Sequence, residues 1–191
     1  MSPRFIFRNV STQFFQRTFS AAAARPFHVS ASTFINVNDR IPDIEVMEDS
    51  PGNKISIGKE LKGKKAILLG VPAAFSPGCS TSHIPGYISA DRKIPIYVIA
   101  VNDPFVTKAW GESLQGSKEA GIRFLADPAL KLTNALDLAF DGTAIFGGPR
   151  SKRYALIVDD GKVLKTFIEP DNTGIKVSAA ENVLQSYNFK S

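Results

Sequence analysis

Cysteine occurs once in this 191-residue chain and histidine twice, and each scarcity closes off a class of proteins. The lone cysteine, Cys79, excludes an internal disulfide framework and a cysteine-rich zinc module. With His28 and His83 as the only imidazoles, there is a poor basis for a histidine-built metal site. No run of roughly 18 apolar residues occurs, which excludes a transmembrane helix. A GxGxxG fingerprint and a GxSxG elbow are both missing. The basic stretch 58–65, GKELKGKK, resembles a phosphate loop but ends in Lys65 where Ser or Thr is needed. It also precedes a strand instead of following one, so it reads as a solvated turn. What remains is 43% hydrophobic and 21% charged, the composition of one soluble domain with a sizeable apolar core.

Acidic residues are absent from positions 1–38; the first is Asp39. The same stretch carries Arg4, Arg8, Arg17 and Arg25, so most of the net charge of +5 sits there and the rest is nearly neutral. Rich in Ser, Ala and Phe as well, it has the composition of a mitochondrial transit peptide. Its arginines interrupt the apolar residues, so no continuous secretory core forms. A disordered basic tail, for nucleic acid for instance, is the plainer alternative. Arg25-Pro26-Phe27-His28-Val29-Ser30 resembles a two-step matrix processing site, with the segment Phe27 to Phe34 removed second. The expected boundaries are 1–34 for the transit peptide and 35–191 for the folded domain, which would work in the mitochondrial matrix.

Along that domain, Lys64–Val71 (KKAILLGV) and Ile94–Val101 (IPIYVIAV) are short apolar runs, expected as buried strands. Pro72 ends the first, and Pro77-Gly78 turns the chain into a helix over Cys79–Ala90 that Pro85-Gly86 would kink. Asp103-Pro104 couples an N-cap to a proline at the first helical position and starts a helix running through Trp110. Asp127-Pro128 repeats that signal after a strand at Arg123–Ala126. Lys152–Val158 alternates as a strand, Asp160-Gly161 turns it, and Val163–Glu169 returns. Ser178, with Glu181 at capping-box spacing, opens a last helix. The order predicts an α/β domain with a central mixed sheet flanked by helices.

One stretch can carry chemistry: Gly70-Val71-Pro72-Ala73-Ala74-Phe75-Ser76-Pro77-Gly78-Cys79-Ser80-Thr81-Ser82-His83. It sets the only cysteine just past a strand, in the first turn of a helix, where backbone N–H groups favour a negative sulfur. Ser76, three residues earlier, is within reach of that sulfur, and His83 follows four residues on. The plainer alternatives are a small buried hydrophobe for Cys79, a turn residue for Ser76 and a packing residue for His83. Position alone does not choose between them, nor name the reaction. A cysteine–histidine hydrolase built from Cys79 and His83 is disfavoured, since such partners usually come from distant segments.

Pro72-x-x-x-Ser76-x-x-Cys79 resembles the Pro-x-x-x-(Thr/Ser)-x-x-Cys motif of peroxiredoxins. The string PAAFSPGCSTSHIPGY is similar to the type II, peroxiredoxin-5-like subfamily, as are Asp39–Ile57, Asn102–Trp110, Phe124–Pro128 and Ser151–Val163. The resemblance runs from about Ile35 to the C-terminus in the family's own order. It implies a thioredoxin-like fold with an N-terminal β-hairpin, and a thiol-dependent peroxidase that needs no prosthetic cofactor or metal. Cys79 would be the peroxidatic nucleophile, Ser76 would orient the peroxide, and Pro72 would shield the sulfur. Arg153 would stabilise the developing negative charge, with Arg150 a weaker second candidate; without the resemblance Arg153 would read as a surface cation. Hydrogen peroxide and organic hydroperoxides are the implied substrates, and a homodimer the implied assembly. No nucleic acid or membrane partner follows from it.

Two departures accompany the resemblance. Many relatives carry a second, resolving cysteine where Val177 stands here, so the oxidised Cys79 has no partner within its own chain. An external thiol must then complete the cycle, with glutathione and glutaredoxin expected ahead of thioredoxin or a Cys79–Cys79 bridge between subunits. The connection between Tyr87 and Asn102 is also shorter than in relatives, by about six residues or ~9 Å of helix and loop, so either the helix ends early, near Ala90, or the sequence lacks a short segment. A redox-responsive binding or sensor protein with little turnover is the other class of function these residues allow.

Overall fold

A computed structural model describes residues 34–90 and 94–187. The expected transit peptide therefore lies outside the described residues except for Phe34, as does 91–93 of the short connection. The chain forms β1 (Glu45–Glu48), β2 (Ser50–Ser56), α1 (Ile57–Glu60) and β3 (Lys65–Val71), then a helix entered through a π turn at Cys79–His83 and continued as α2 (Ile84–Ile88). There follow β4 (Ile96–Ala100), α3 (Pro104–Ser113), β5 (Ile122–Ala126), α4 (Lys131–Ala135), β6 (Ala139–Phe140) and α5 (Thr143–Phe146). The last elements are β7 (Arg150–Ser151), β8 (Tyr154–Asp159), β9 (Lys162–Ile168) and α6 (Ala180–Ser186).

Seven strands make one sheet in the order β2-β1-β5-β4-β3-β8-β9. The inner strands β3, β4 and β5 run parallel, while β8 lies antiparallel to β3 and β1 antiparallel to β5. The mixed sheet, the flanking helices and the N-terminal hairpin β1–β2 are those expected, and the fold is thioredoxin-like. Alternate residues of β3 feed two cores, as the two-residue period of a strand requires. Ala66 and Leu68 join Tyr97, Ile99, Leu125 and Leu156 on one face. Ile67, Leu69 and Val71 join Cys79, Ile84, Tyr87 and Trp110 on the other. The cysteine-bearing helix thus sits on a fully apolar sheet face, which holds its start rigidly above the end of β3.

Local signals were obeyed where nothing tertiary competed. Asp103 accepts hydrogen bonds from the N–H groups of Phe105 and Val106 and starts α3 at Pro104. Asp160 and Gly161, with φ of 48° and 71°, close the β8–β9 hairpin as the two left-handed residues of a tight turn. Four expectations need correction. Asp127 does not start a helix at Pro128: its buried carboxylate accepts from both N–H and Oγ1 of Thr133, each at 2.8 Å, and α4 begins only at Lys131. Ser178 does not cap α6, because its hydroxyl is taken by Glu169 and the cap position falls to Ala179. Tyr154–Val158 is buried at every position, not alternately, because β8 lies between two strands with both faces covered. The helix expected over Cys79–Ala90 opens instead with a π turn, Ile84 N–H donating to Cys79 O five residues back, and continues as α2 only to Ile88, short of Ala90.

Gly70 of β3 faces Tyr154 of β8, and a Cβ on Gly70 would overlap the tyrosine ring. Gly70→Ala should therefore lower unfolding stability by about 3 kcal/mol, since neither the ring nor the paired backbone can yield cheaply. Urea denaturation followed by circular dichroism measures this; an unchanged midpoint would mean the ring finds another rotamer.

Candidate active site

Strand direction brings the site together. Because β8 runs antiparallel to β3 with Gly70 opposite Tyr154, the chain leaves β3 and enters β8 at the same end of the sheet. The parallel neighbour β4 ends there as well, at Ala100. Residues just after β3, just after β4 and just before β8 must therefore meet. These are the turn 72–78, Asn102 and Arg153.

The turn from β3 is built to deliver a sulfur. Pro72 is buried at its start. Ala74 N–H donates to the Asn102 side chain at 3.0 Å, pinning the turn to the end of β4. Phe75 then adopts φ 60°, a left-handed conformation uncommon for an aromatic residue, and the chain reverses into the helix. Ser76 Oγ comes to 2.9 Å from Cys79 Sγ and 3.0 Å from Ala73 O, so its single proton serves one of the two at a time. Cys79 itself has no solvent exposure. The next residue, Ser80, accepts from the indole N–H of Trp110 at 2.9 Å, which ties the π turn to α3.

Arg153 approaches from the other side. It is only 3% exposed, and its Nη1 donates to Cys79 Sγ at 3.3 Å. Its Nε–H donates to Thr173 O at 3.0 Å, and its backbone N–H to Asn172 O at 2.7 Å. Gly78 makes room: a Cβ there would stand 3.3 Å from Arg153 Nη2 and 3.4 Å from Ile175. A guanidinium removed from water is costly unless its charge finds a partner, and the atom it faces here is the sulfur. Ser76 Oγ and Arg153 Nη1 thus both meet the one buried sulfur.

The remaining candidates separate cleanly. Arg150 turns away from the sulfur and donates to Phe146 O at 2.8 Å and to Pro149 O. His83 is buried and does not bond the sulfur; its Nε2 donates to Ser178 O at 3.1 Å, the carbonyl that also accepts from Tyr87 OH at 2.8 Å. Burial first, and the nearby Arg153 charge second, hold His83 down to about 3, so it stays neutral. Val177, at the position of the expected second cysteine, is exposed. Asn102, Thr173 and Trp110 are site neighbours that the sequence does not mark as such, and Ser178 carries only a helix-cap signal. Asn102 and Trp110 lie in the Asn102–Trp110 stretch of family resemblance, whereas a backbone carbonyl such as that of Thr173 leaves no sequence signal. Among the described residues no group of three or more His, Cys, Asp or Glu is placed to hold a metal ion, and no helix is long and apolar enough to cross a membrane.

Residues 36–184 match the Redoxin family. The chain is 40% identical over 158 residues to the "Peroxisomal membrane associated protein 20" of Schizosaccharomyces pombe, spanning 80% of this chain and 99% of that one. Its structure is similar to that of peroxiredoxin 5 from Alvinella pompejana, at 39% identity and a TM-score of 0.68, covering 79% of this chain and 99% of that one. It is similar also to reduced Prx3 from Vibrio vulnificus in complex with hydrogen peroxide, at 36% identity and a TM-score of 0.71, covering 80% and 99%.

The neutral His83 gives a pH dependence of known sign. Its unfolded form takes up a proton below about pH 6.5, whereas the folded form resists until near 3. Acid therefore favours the unfolded chain, and stability present above pH 6.5 is lost progressively between those values, by about 2 kcal/mol at pH 5 from this group alone. Urea titrations at pH 7.5 and 5 should show that loss in the parent chain and a smaller one in His83→Gln. Equal losses in both would assign the acid sensitivity to other groups.

Proposed function

The chain belongs to the Redoxin family and is a type II peroxiredoxin, a thiol-dependent peroxidase, and from this premise we propose the role of each residue at its site. Cys79 is the peroxidatic nucleophile. Its thiolate attacks the terminal oxygen of a hydroperoxide; the S–O bond forms as the O–O bond breaks, and sulfur gives up two electrons. The sulfur keeps the hydroxyl as a sulfenic acid, while the other oxygen leaves as hydroxide or alkoxide and takes a proton from solvent. Arg153 stabilises the negative charge first on sulfur and then on the leaving oxygen. Ser76 donates to the sulfur before reaction and is close enough to hold the arriving peroxide. Pro72 closes the floor of the turn against water. The observation that carries this reading is the buried Arg153 aimed at a buried sulfur, an arrangement that packing alone does not call for.

Regeneration follows from the cysteine count. Cys79 is the only cysteine and Val177 occupies the alternative position, so the sulfenic acid is reduced by an external thiol. A first thiol forms a mixed disulfide and releases water; a second thiol releases Cys79 and leaves as the disulfide. The small, diffusible glutathione with glutaredoxin is the proposed donor, and hydrogen peroxide and organic hydroperoxides the substrates. The hydrogen peroxide complex of the Vibrio vulnificus relative supports the first of these substrates. The enzyme is proposed to act as a homodimer. Residues 1–34 are proposed as a mitochondrial transit peptide ahead of a domain at 35–191. In support, the family match begins only at residue 36, and the fission yeast relative is spanned almost entirely by 80% of this chain. That relative bears a peroxisomal name, so fractionation of cells expressing the full chain decides the compartment.

Peroxide consumption by the full chain and by its 35–191 form, with glutathione and glutaredoxin or with thioredoxin and its reductase, tests the reading. Cys79→Ser should lose turnover completely, and Arg153→Ala should slow oxidation of Cys79 about a hundredfold. Ser76→Ala should cost about tenfold, the value of a hydrogen bond to a charged group. Undiminished turnover by Cys79→Ser would end the account. Oxidation without turnover with either donor would instead identify a peroxide sensor.

A further inference from the structure

Glu169 follows β9 directly and is 1% exposed, yet among the described residues it meets no cation. One oxygen, Oε1, accepts three hydrogen bonds: from Lys176 N–H at 2.7 Å, Ser178 N–H at 2.9 Å and Ser178 Oγ at 2.8 Å. The other, Oε2, is buried with no hydrogen-bond partner among the described residues. Closing a surface loop does not require a buried carboxylate, since an exposed Asp171 already holds the N–H groups of Thr173 and Gly174 within the same loop.

The loop 170–178 that Glu169 clamps contacts Arg153 and the helix that carries Cys79. Its Asn172 and Thr173 carbonyls accept from the backbone N–H and the Nε–H of Arg153, and Arg153 O in turn accepts from Glu169 N–H at 3.0 Å. A guanidinium is planar, so seating Nε on Thr173 O sets the plane and leaves Nη1 facing the sulfur. At its far end the loop presents Ser178 O to His83 and Tyr87, both on the helix that carries Cys79. One carboxylate thus stands behind both sides of the sulfur–guanidinium contact. We propose that Glu169 is a positioning residue for peroxide reduction: through Lys176 and Ser178 it holds the loop in the shape in which the Thr173 carbonyl turns Arg153 onto Cys79. The inference rests on the role given to Arg153 above.

The test is stopped-flow oxidation of the full chain by hydrogen peroxide, followed through Trp110, the only tryptophan, whose indole is bonded to the neighbour of Cys79. Glu169→Ala should be slower by about tenfold, and Glu169→Gln, which keeps an accepting oxygen in place, should stay within about threefold of the parent. If Glu169 acts through Arg153, adding Glu169→Ala to Arg153→Ala should cost less than about twofold more. A merely structural carboxylate predicts that the two losses multiply, and that result overturns the proposal. A parent-like Glu169→Ala beside a slow Arg153→Ala overturns it too, while leaving the arginine's role intact. A parent-like Arg153→Ala removes that role and the proposal with it. Should Glu169→Ala fail to fold, Ser178→Ala withdraws one of the three bonds and is expected to slow oxidation about threefold, with the same loss of effect in the Arg153→Ala background.

Discussion

The contact on which this structure turns is that between the Cys79 sulfur and the Arg153 guanidinium, two groups 74 positions apart in the chain and both withdrawn from water. Neither is comfortable there alone. A buried guanidinium with no partner is strongly unfavourable, and the sulfur is the side-chain partner it finds here. The proposed function makes that same sulfur the nucleophile. The central sheet supplies the rigidity this needs, because β3, β4 and β8 are packed on both faces, and β3 and β4 end where β8 begins.

Around that contact the protein keeps its other polar groups neutral or hydrogen-bonded to backbone. His83 stays uncharged beside Arg153, and burial keeps the Tyr154 phenol protonated, well above its ordinary range. A charged histidine here would be repelled by the arginine and would compete with it for the sulfur. On the opposite core, Arg123 bridges Glu48 and Glu60 and stacks over Tyr97.

Legibility in the sequence followed the range of the interaction. The strands at 65–71 and 96–100 were plain because parallel strands buried on both faces are written as apolar runs. Asp103-Pro104 and Asp127-Pro128 carry the same local signal with opposite outcomes. Asp103 is exposed and free to cap its own helix, whereas the buried Asp127 is claimed by Thr133. Ser178 misled for the same reason: Glu169 outbids the helix start for its hydroxyl. The site was legible as far as Pro72, Ser76 and Cys79, which share one turn. Arg153 was reached only through family resemblance, and nothing in its local sequence beside Lys152 marks it as buried.

The cysteine count, the acid-free N-terminal stretch and the apolar strand runs are properties of the chain itself, and they set what chemistry it can hold: one cysteine sulfur, no partner cysteine, and a core large enough to bury it. Which groups meet that sulfur was decided by the pairing of β8 antiparallel to β3. That pairing places residue 153 opposite the turn at 72–79, and the return of β9 along β8 brings loop 170–178 to Arg153. Strand direction and register depend on contacts between distant segments, so no local stretch of sequence encodes them.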